Sequence, residues 1–446
     1  MSDASDKRPY AVIVGLGRTG LSAARYLRAQ GWRLAVTDTR AQPPELAALT
    51  ALDAAIPVRL GGLDVGLLAG ALCVVASPGV SLELPFFAAA RSRGLEIVGD
   101  IELFARAANA PVAGITGTNG KSTVTTLLAR MAQRAGLSVR VGGNLGEPAL
   151  DLLSAGTALY VLELSSFQLE TTTQLACRAA TVLNVTADHL DRYASIGAYA
   201  AAKARIFARC DTAVVNLDDP LVMAMPRGAR RTLSFSLRAA VGADYAVAQR
   251  PDGWWLMRAT EPLLPLARLR IKGLHNAANA LAALALGEAL ELPRAPMLAE
   301  LEEFPGLPHR SQWVAEVRGV TYINDSKGTN VGATLAAVAG MPGPLVMIAG
   351  GDGKNQDFAP LAAAFRGKVR HTVLLGRDAP RIARALAGIG TLETVATLPE
   401  AVRAAARAAQ PGDTVLLSPA CASLDMFRDY TQRGAVFAQA VRELAA

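Results

Sequence analysis

The sequence has 446 residues, a formal net charge of +7 and 51% hydrophobic residues, and at roughly 150 residues per domain it accommodates about three domains, each able to bury a core. Its basic residues are scattered and lack interleaved aromatics, which argues against a nucleic-acid partner, and no apolar run reaches the roughly 20 residues needed to span a membrane. The first ten residues lack the basic, apolar and small-residue order of a secretory signal, so a cytoplasmic protein is expected.

Cys73, Cys177, Cys210 and Cys421 form no Cys-x-x-Cys pair and are expected as buried free thiols. Only seven of the 45 basic residues are lysines. A lysine amine can be neutralised or modified where a guanidinium cannot, which draws attention to Lys121, Lys203, Lys327 and Lys354 in the segments below.

Tyr10 to Gly15 predicts a strand, followed by Gly15-Leu16-Gly17-Arg18-Thr19-Gly20 and a helix from Thr19 to Gln30, closed by Gly31. Two further strands are predicted, Leu34 to Thr37 ending at Asp38, and Leu72 to Ala76 ending in Ser77-Pro78-Gly79. A G-x-G-x-x-G turn between strand and helix lets backbone approach an anion at a helix N-terminus, and Asp38 stands where a ribose-binding acid would sit. Nucleotide binding is indicated; NAD is one candidate, and a tight turn without ligand is the alternative.

A second unit opens with the strand Val112 to Thr116, the loop Gly117-Thr118-Asn119-Gly120-Lys121-Ser122-Thr123 and a helix to Arg134. Ile115 replaces the first glycine of the P-loop pattern. The Gly-Lys-Ser ending still supplies backbone N–H groups and an ammonium for phosphates and a hydroxyl for magnesium. Glu163 ends the apolar strand Leu159 to Leu162, a position from which a carboxylate can hold a hard cation, and is followed by Leu164-Ser165-Ser166-Phe167-Gln168. Strands Thr181 to Val185 and Ala213 to Val215 follow, with Asp188-His189-Leu190-Asp191-Arg192-Tyr193 between them. Lys203 reads in isolation as an ordinary exposed lysine. Short alternating stretches from Arg231 to Ile271 predict a small antiparallel appendage. Lys272-Gly273-Leu274-His275 then leads into a helix from Asn276 to Leu290, where Asn276 either caps the helix or, with Asn279 three residues on, faces a ligand.

Pro305 to Pro308 breaks the periodicity and is the expected hinge. Beyond it, strands near Thr321 to Ile323, Leu345 to Ala349, Thr372 to Leu375 and Thr414 to Leu417 lead into polar loops. Three of these loops carry Asp325, Lys327 and Thr329, then Lys354, then Ser418 to Asp425 with Ser423 and Leu424. The class is α/β, with three wound domains expected at 1–103, 104–306 and 307–446 and ligands at the strands' C-terminal ends.

Together these segments resemble the Mur ligase family from Gly15 to Phe437. Asp38-Thr39-Arg40, Gly143-Asn144-Leu145-Gly146, the Glu163 and Asp188 segments and Ser418 to Asp425 look like its glutamate-adding member. The resemblance implies a monomeric ATP-dependent amide ligase of peptidoglycan precursor synthesis, which adds glutamate, expected to be D-glutamate, to UDP-N-acetylmuramoyl-L-alanine through an acyl phosphate. It further implies that Thr19, Asp38, Thr39, Arg40, Gly79, Asn144, Ser165 and Gln168 serve the UDP substrate. ATP would meet Thr118, Asn119, Gly120, Lys121, Ser122, Thr123, Asn276, Asn279, Arg310 and Asp325. His189, Lys327, Thr329, Lys354, Ser423, Leu424 and Tyr430 would serve glutamate. Magnesium would be held by Ser122 and Glu163, and by His189 with a carbamylated Lys203; Lys121, Glu163, His189 and Lys203 are the implied catalytic group. Rival readings are a folylpolyglutamate synthase or sister Mur enzyme, an NAD-dependent oxidoreductase, and a non-catalytic nucleotide-binding scaffold.

Overall fold

The computed structural model describes residues 8–238, 242–271, 273–341 and 343–445; Lys272 lies outside them. Three sheets follow one another along the chain. The first comprises β1 (Tyr10–Val14), β2 (Arg33–Asp38), β3 (Val58–Leu60), β4 (Cys73–Ala76) and β5 (Glu96–Val98), all parallel in the order β3-β2-β1-β4-β5. Strand order reverses beside β1, so a ligand crevice opens at the C-terminal ends of β1 and β4. Here Ser77 Oγ donates to the Gly15 carbonyl at 2.8 Å. A Cβ on Gly20 would stand 2.0 Å from that same carbonyl oxygen, so only glycine lets the helix Arg18–Ala29 seat against the turn.

The central sheet comprises β6 (Val112–Thr116), β7 (Val139–Gly143), β8 (Leu159–Glu163), β9 (Cys177–Val182), β10 (Cys210–Asn216), β11 (Arg231–Ser236), β12 (Tyr245–Arg250), β13 (Gly253–Arg258) and β14 (Glu261–Pro265). Its order is β14-β13-β12-β11-β10-β9-β6-β8-β7. The antiparallel element expected over 231–271 is formed by β12 to β14. It is continuous with the main sheet, because β11 pairs in parallel with both β10 and β12. The helix Leu274–Ala289 is buried along most of its length against the helix Lys121–Arg134 and the sheet, which is why its sequence is apolar nearly all round.

The third sheet comprises β15 (Gln312–Val317), β16 (Val320–Asn324), β17 (Leu345–Gly350), β18 (Val369–Leu375), β19 (Thr391–Thr394) and β20 (Thr414–Leu417), in the order β15-β16-β20-β17-β18-β19. Only the edge strand β15 is antiparallel. Pro305 to Pro308 lies between the helix Arg294–Glu303 and β15, at the crossing from the central unit to the third. The four cysteines are buried and free. Among the described residues, no helix is long and apolar enough to cross a membrane.

Candidate active site

The loop after β6 carries two glycines with positive φ, Gly117 at 150° and Gly120 at 85°. A Cβ on Gly120 would come within 2.4 Å of Asn279 Oδ1, so a side chain is excluded by conformation and by space. Asn184 clamps the loop: its Oδ1 accepts from Asn119 N–H at 2.8 Å and its Nδ2 donates to the Asn119 carbonyl at 3.1 Å. Lys121 Nζ curls back to donate to the carbonyls of Gly117 and Thr118, both at 2.9 Å. Burial lowers its pKa, partly offset by the Glu163 carboxylate.

Glu163, at the end of β8, is the hub beneath the loop. Its two oxygens accept from Ser122 Oγ at 2.6 Å and Asn144 Nδ2 at 2.8 Å. Burial alone would raise this carboxyl, but the Lys121 ammonium and those two donors hold it below the usual range. Arg310, from the start of the third unit, donates to Ser122 Oγ at 2.7 Å. Lys203 is buried, against the reading of an exposed lysine; its Nζ donates to the Gly117 carbonyl at 2.9 Å and lies 4.4 Å from the Tyr199 ring centroid. Burial first, then repulsion from Lys121, takes its pKa well below the normal lysine value.

On the opposite wall, Asp188 joins the central unit to the third. Its Oδ1 accepts from Lys354 Nζ at 2.7 Å and its Oδ2 from Asn330 Nδ2 at 3.2 Å. His189 follows with φ at 55°, its ring edge-on to Phe167 at 5.0 Å. Burial lowers the His189 pKa, with Asp188 opposing, so a neutral ring is favoured.

Two adjoining cavities share this wall. One is lined by Lys121, Glu163, His189, Lys203, Lys327 and Lys354, with Thr118, Asn144, Ser165 and Thr329 around them. The other is lined by Thr123, Asn276, Asn279 and Asp325, with apolar cover from Phe235, Ile271 and Leu307. Asn119, Gly120, Arg310 and Lys327 border both. The arrangement suits an elongated anionic ligand: an apolar slot at one end, loop N–H groups in the middle, and lysines at the other.

Family descriptions match along the chain: "Mur ligase MurD-like, N-terminal domain" over residues 9–99, "Mur ligase middle domain" over 115–287, and "Mur ligase, glutamate ligase domain" over 309–421. The chain is 53% identical over 437 residues to the UDP-N-acetylmuramoylalanine--D-glutamate ligase of Nitrosococcus oceani, covering 97% of this chain and 96% of that protein. The chain belongs to the Mur ligase family. This Mur ligase is also 51% identical over 440 residues to the Pseudomonas aeruginosa protein of the same name, covering 98% of each. Two solved structures share the fold: MurC of Thermotoga maritima, with a TM-score of 0.61 and 20% identity over 97% of this chain and 99% of that one, and MurF of Acinetobacter baumannii, with 0.59 and 18% over 97% and 90%.

Within this Mur ligase the residues expected to serve UDP divide. Thr39, Arg40 and Gly79 are exposed and Thr19 half-buried at the first sheet's edge. The Asp38 carboxylate is already occupied. Leu16 N–H donates to it at 2.7 Å, Arg40 N–H at 2.8 Å, and the Arg40 guanidinium at 2.9 and 2.6 Å. Burial opposes ionisation, yet these donors bring its pKa down to about 2. Asp38 therefore fixes the glycine turn and aims Arg40. Gln168 is also engaged, closing a capping box with Ser165 and donating to Asp100 Oδ2 at 2.9 Å.

Of the residues expected around glutamate, His189, Lys327, Thr329 and Lys354 line the phosphate-loop cavity, whereas Ser423, Leu424 and Tyr430 are not among the described residues that do. Lys354 and Ser423 are both expected to serve glutamate from loops of the third unit, but they part here. Lys354 shares a cavity with Lys121, because β17 ends at the interface and the 354 turn, with φ at 49°, reaches Asp188. Asp188, Asn184, Asn330 and Arg433 were not singled out from the sequence. Arg433 is buried and ties the loop at Ser326 to the Cys421 carbonyl. Asn330 had a local signal, as a polar residue immediately before a helix, and Asn184 and Asp188 stood in a polar loop after a strand.

Proposed function

We propose that this chain is an ATP-dependent ligase joining D-glutamate to UDP-N-acetylmuramoyl-L-alanine in peptidoglycan precursor synthesis, acting in the cytoplasm. Support comes from relatives of that name at about half identity over nearly the whole chain. The observation that carries the chemistry is the convergence of Lys121, Ser122, Glu163 and Arg310 beneath the glycine loop. Residues 1–103 would hold the UDP end, 104–306 ATP, and 307–446 glutamate.

The substrate carboxylate attacks the γ-phosphorus of ATP, releasing ADP and giving an acyl phosphate. The glutamate amine then attacks the acyl carbon, loses a proton and expels phosphate to leave an amide. Lys121 and Arg310 stabilise charge on the transferring group, and apposition of the central and third units orients the amine and excludes water from the acyl phosphate. His189, held neutral, would offer a ring nitrogen to a cation beside Lys203.

Magnesium fits beside Glu163: an ionised carboxylate and a hydroxyl are hard oxygen donors, and nucleotide phosphates would complete the shell. Bound there, the ion would neutralise charge on the phosphates. Among the described residues no group of three or more acidic, histidine or cysteine side chains is assembled as a metal cage. Lys203 as an ammonium does not fit a cation site. We infer that its amine, made available by burial, adds to carbon dioxide and releases a proton, giving a carbamate anion that does fit. Intact-protein mass spectrometry under bicarbonate should show the gain of one carbon dioxide in the wild type and none in Lys203→Arg.

A further inference from the structure

Asn330 stands between two units and satisfies both. Its Oδ1 accepts from Ala333 N–H at 2.8 Å, capping the helix Val331–Gly340. Its Nδ2 faces Asn119 Oδ1 on the phosphate-loop tip at 3.3 Å and Asp188 Oδ2 at 3.2 Å. The side chain is buried, and Asp188 is held from its other oxygen by Lys354 at 2.7 Å. One carboxamide thus fixes the start of a helix in the third unit to a carboxylate and a phosphate-loop residue of the central unit.

We infer that Asn330 is a positioning residue, whose carboxamide couples the set of the phosphate loop to closure of the third unit. The inference rests on the ligase reading for its kinetic consequence but not for its structural one. Asn119 supplies the loop end of the coupling, Asp188 the charged anchor, and Lys354 is drawn over the cavity by the same carboxylate. A hydrogen bond to a charged, largely buried partner is the stronger kind, and a ligand that binds the closed form is weakened by the fraction of closure lost. The effect should therefore fall on glutamate, which needs the third unit in place, more than on ATP.

Two substitutions separate capping from coupling. Asn330→Ser keeps a helix cap and removes the amide donors; Asn330→Asp keeps the cap and the shape but sets a second carboxylate against Asp188. Spin labels on Asp252→Cys and Arg366→Cys, both exposed positions, report the separation of the central and third units with magnesium ATP present. Both Asn330 variants should shift the population toward longer distances, with kcat/KM for D-glutamate falling roughly ten- to hundredfold and KM for ATP changing less than about threefold. Adding Asp188→Asn to Asn330→Asp restores one donor and one acceptor across the interface and should recover the short distance. Should Asn330→Ser fail to fold, Asn330→Asp and its double variant carry the test alone. Wild-type distances in Asn330→Asp, or opening that Asp188→Asn leaves unrepaired, would overturn the inference. Absence of product from the wild type would count against the ligase reading instead, because the distances are read without turnover.

Discussion

Lys121 and Lys203 donate to a single oxygen, the carbonyl of Gly117, each at 2.9 Å. Two ammonium groups on one acceptor in a buried site repel each other, and desolvation penalises both. The pair therefore favours an uncharged amine, and Lys203, the more strongly lowered of the two, is where it falls.

For Lys203→Arg the expected outcome is a loss of at least about a hundredfold in kcat, although the charge is kept, because a guanidinium has no accessible neutral form and overfills the buried site. Steady-state phosphate release is the measurement. Activity near wild type in a folded variant would return Lys203 to a structural role.

Lys121→Ala should abolish phosphate release with every amino acid tested while ATP still binds detectably. The lost ammonium acts on the transferring phosphoryl group, whereas the loop N–H groups and the apolar slot remain. Titration of ATP alongside turnover distinguishes this from simple loss of binding.

Lys354→Ala removes the partner of a carboxylate that is only 9% exposed. Losing a hydrogen bond to a charged group costs roughly 1.5 to 3 kcal/mol. We expect glutamate kcat/KM to fall about ten- to hundredfold, with KM for the UDP substrate within about threefold. Varying each substrate in turn checks this, and equal weakening of ATP and glutamate would assign Lys354 to the nucleotide.

Asp100 is fully buried against Gln168, and desolvation raises its pKa from 3.8 to about 6 despite that hydrogen bond. Folding favours the protonated form, so the stability it contributes is complete below about pH 4 and is lost as pH rises through about 6. Asn cannot ionise. Asp100→Asn should thus gain stability relative to wild type across that window, reaching on the order of 3 kcal/mol above it. Denaturant melts of both proteins at pH 4.5 and 8 test this; a difference unchanged with pH would refute it.

The parts of this site that are legible in the sequence are those whose signal is local. Gly117 to Ser122 reads as a phosphate loop because turn, ammonium and hydroxyl are consecutive, and Glu163 because an acid ends an apolar run. The strands β3, β5 and β19 are only three or four residues long and mostly exposed or half-buried, so unlike the equally short but fully buried β4 and β20 they show neither a period nor an apolar run. β15 lies at a sheet edge with largely exposed residues, so it lacks the alternation that marks a half-buried strand. The pairing of Lys354 with Asp188 spans 166 residues and follows from how two units meet, which no local pattern encodes. Lys203 was reached only by resemblance, since its burial is set by residues distant in the chain. Asp38 was legible in place but not in use, because its carboxylate is taken up by neighbours across the turn.

The most direct test of the central claim is product identity by mass. The purified chain is incubated with magnesium ATP, UDP-N-acetylmuramoyl-L-alanine and either D- or L-glutamate. The account predicts a product heavier by one glutamate less one water, formed with D-glutamate, with ADP and phosphate released in equal amount and none formed without ATP. Intact precursor after prolonged incubation with D-glutamate, or product formed equally without ATP, would contradict it.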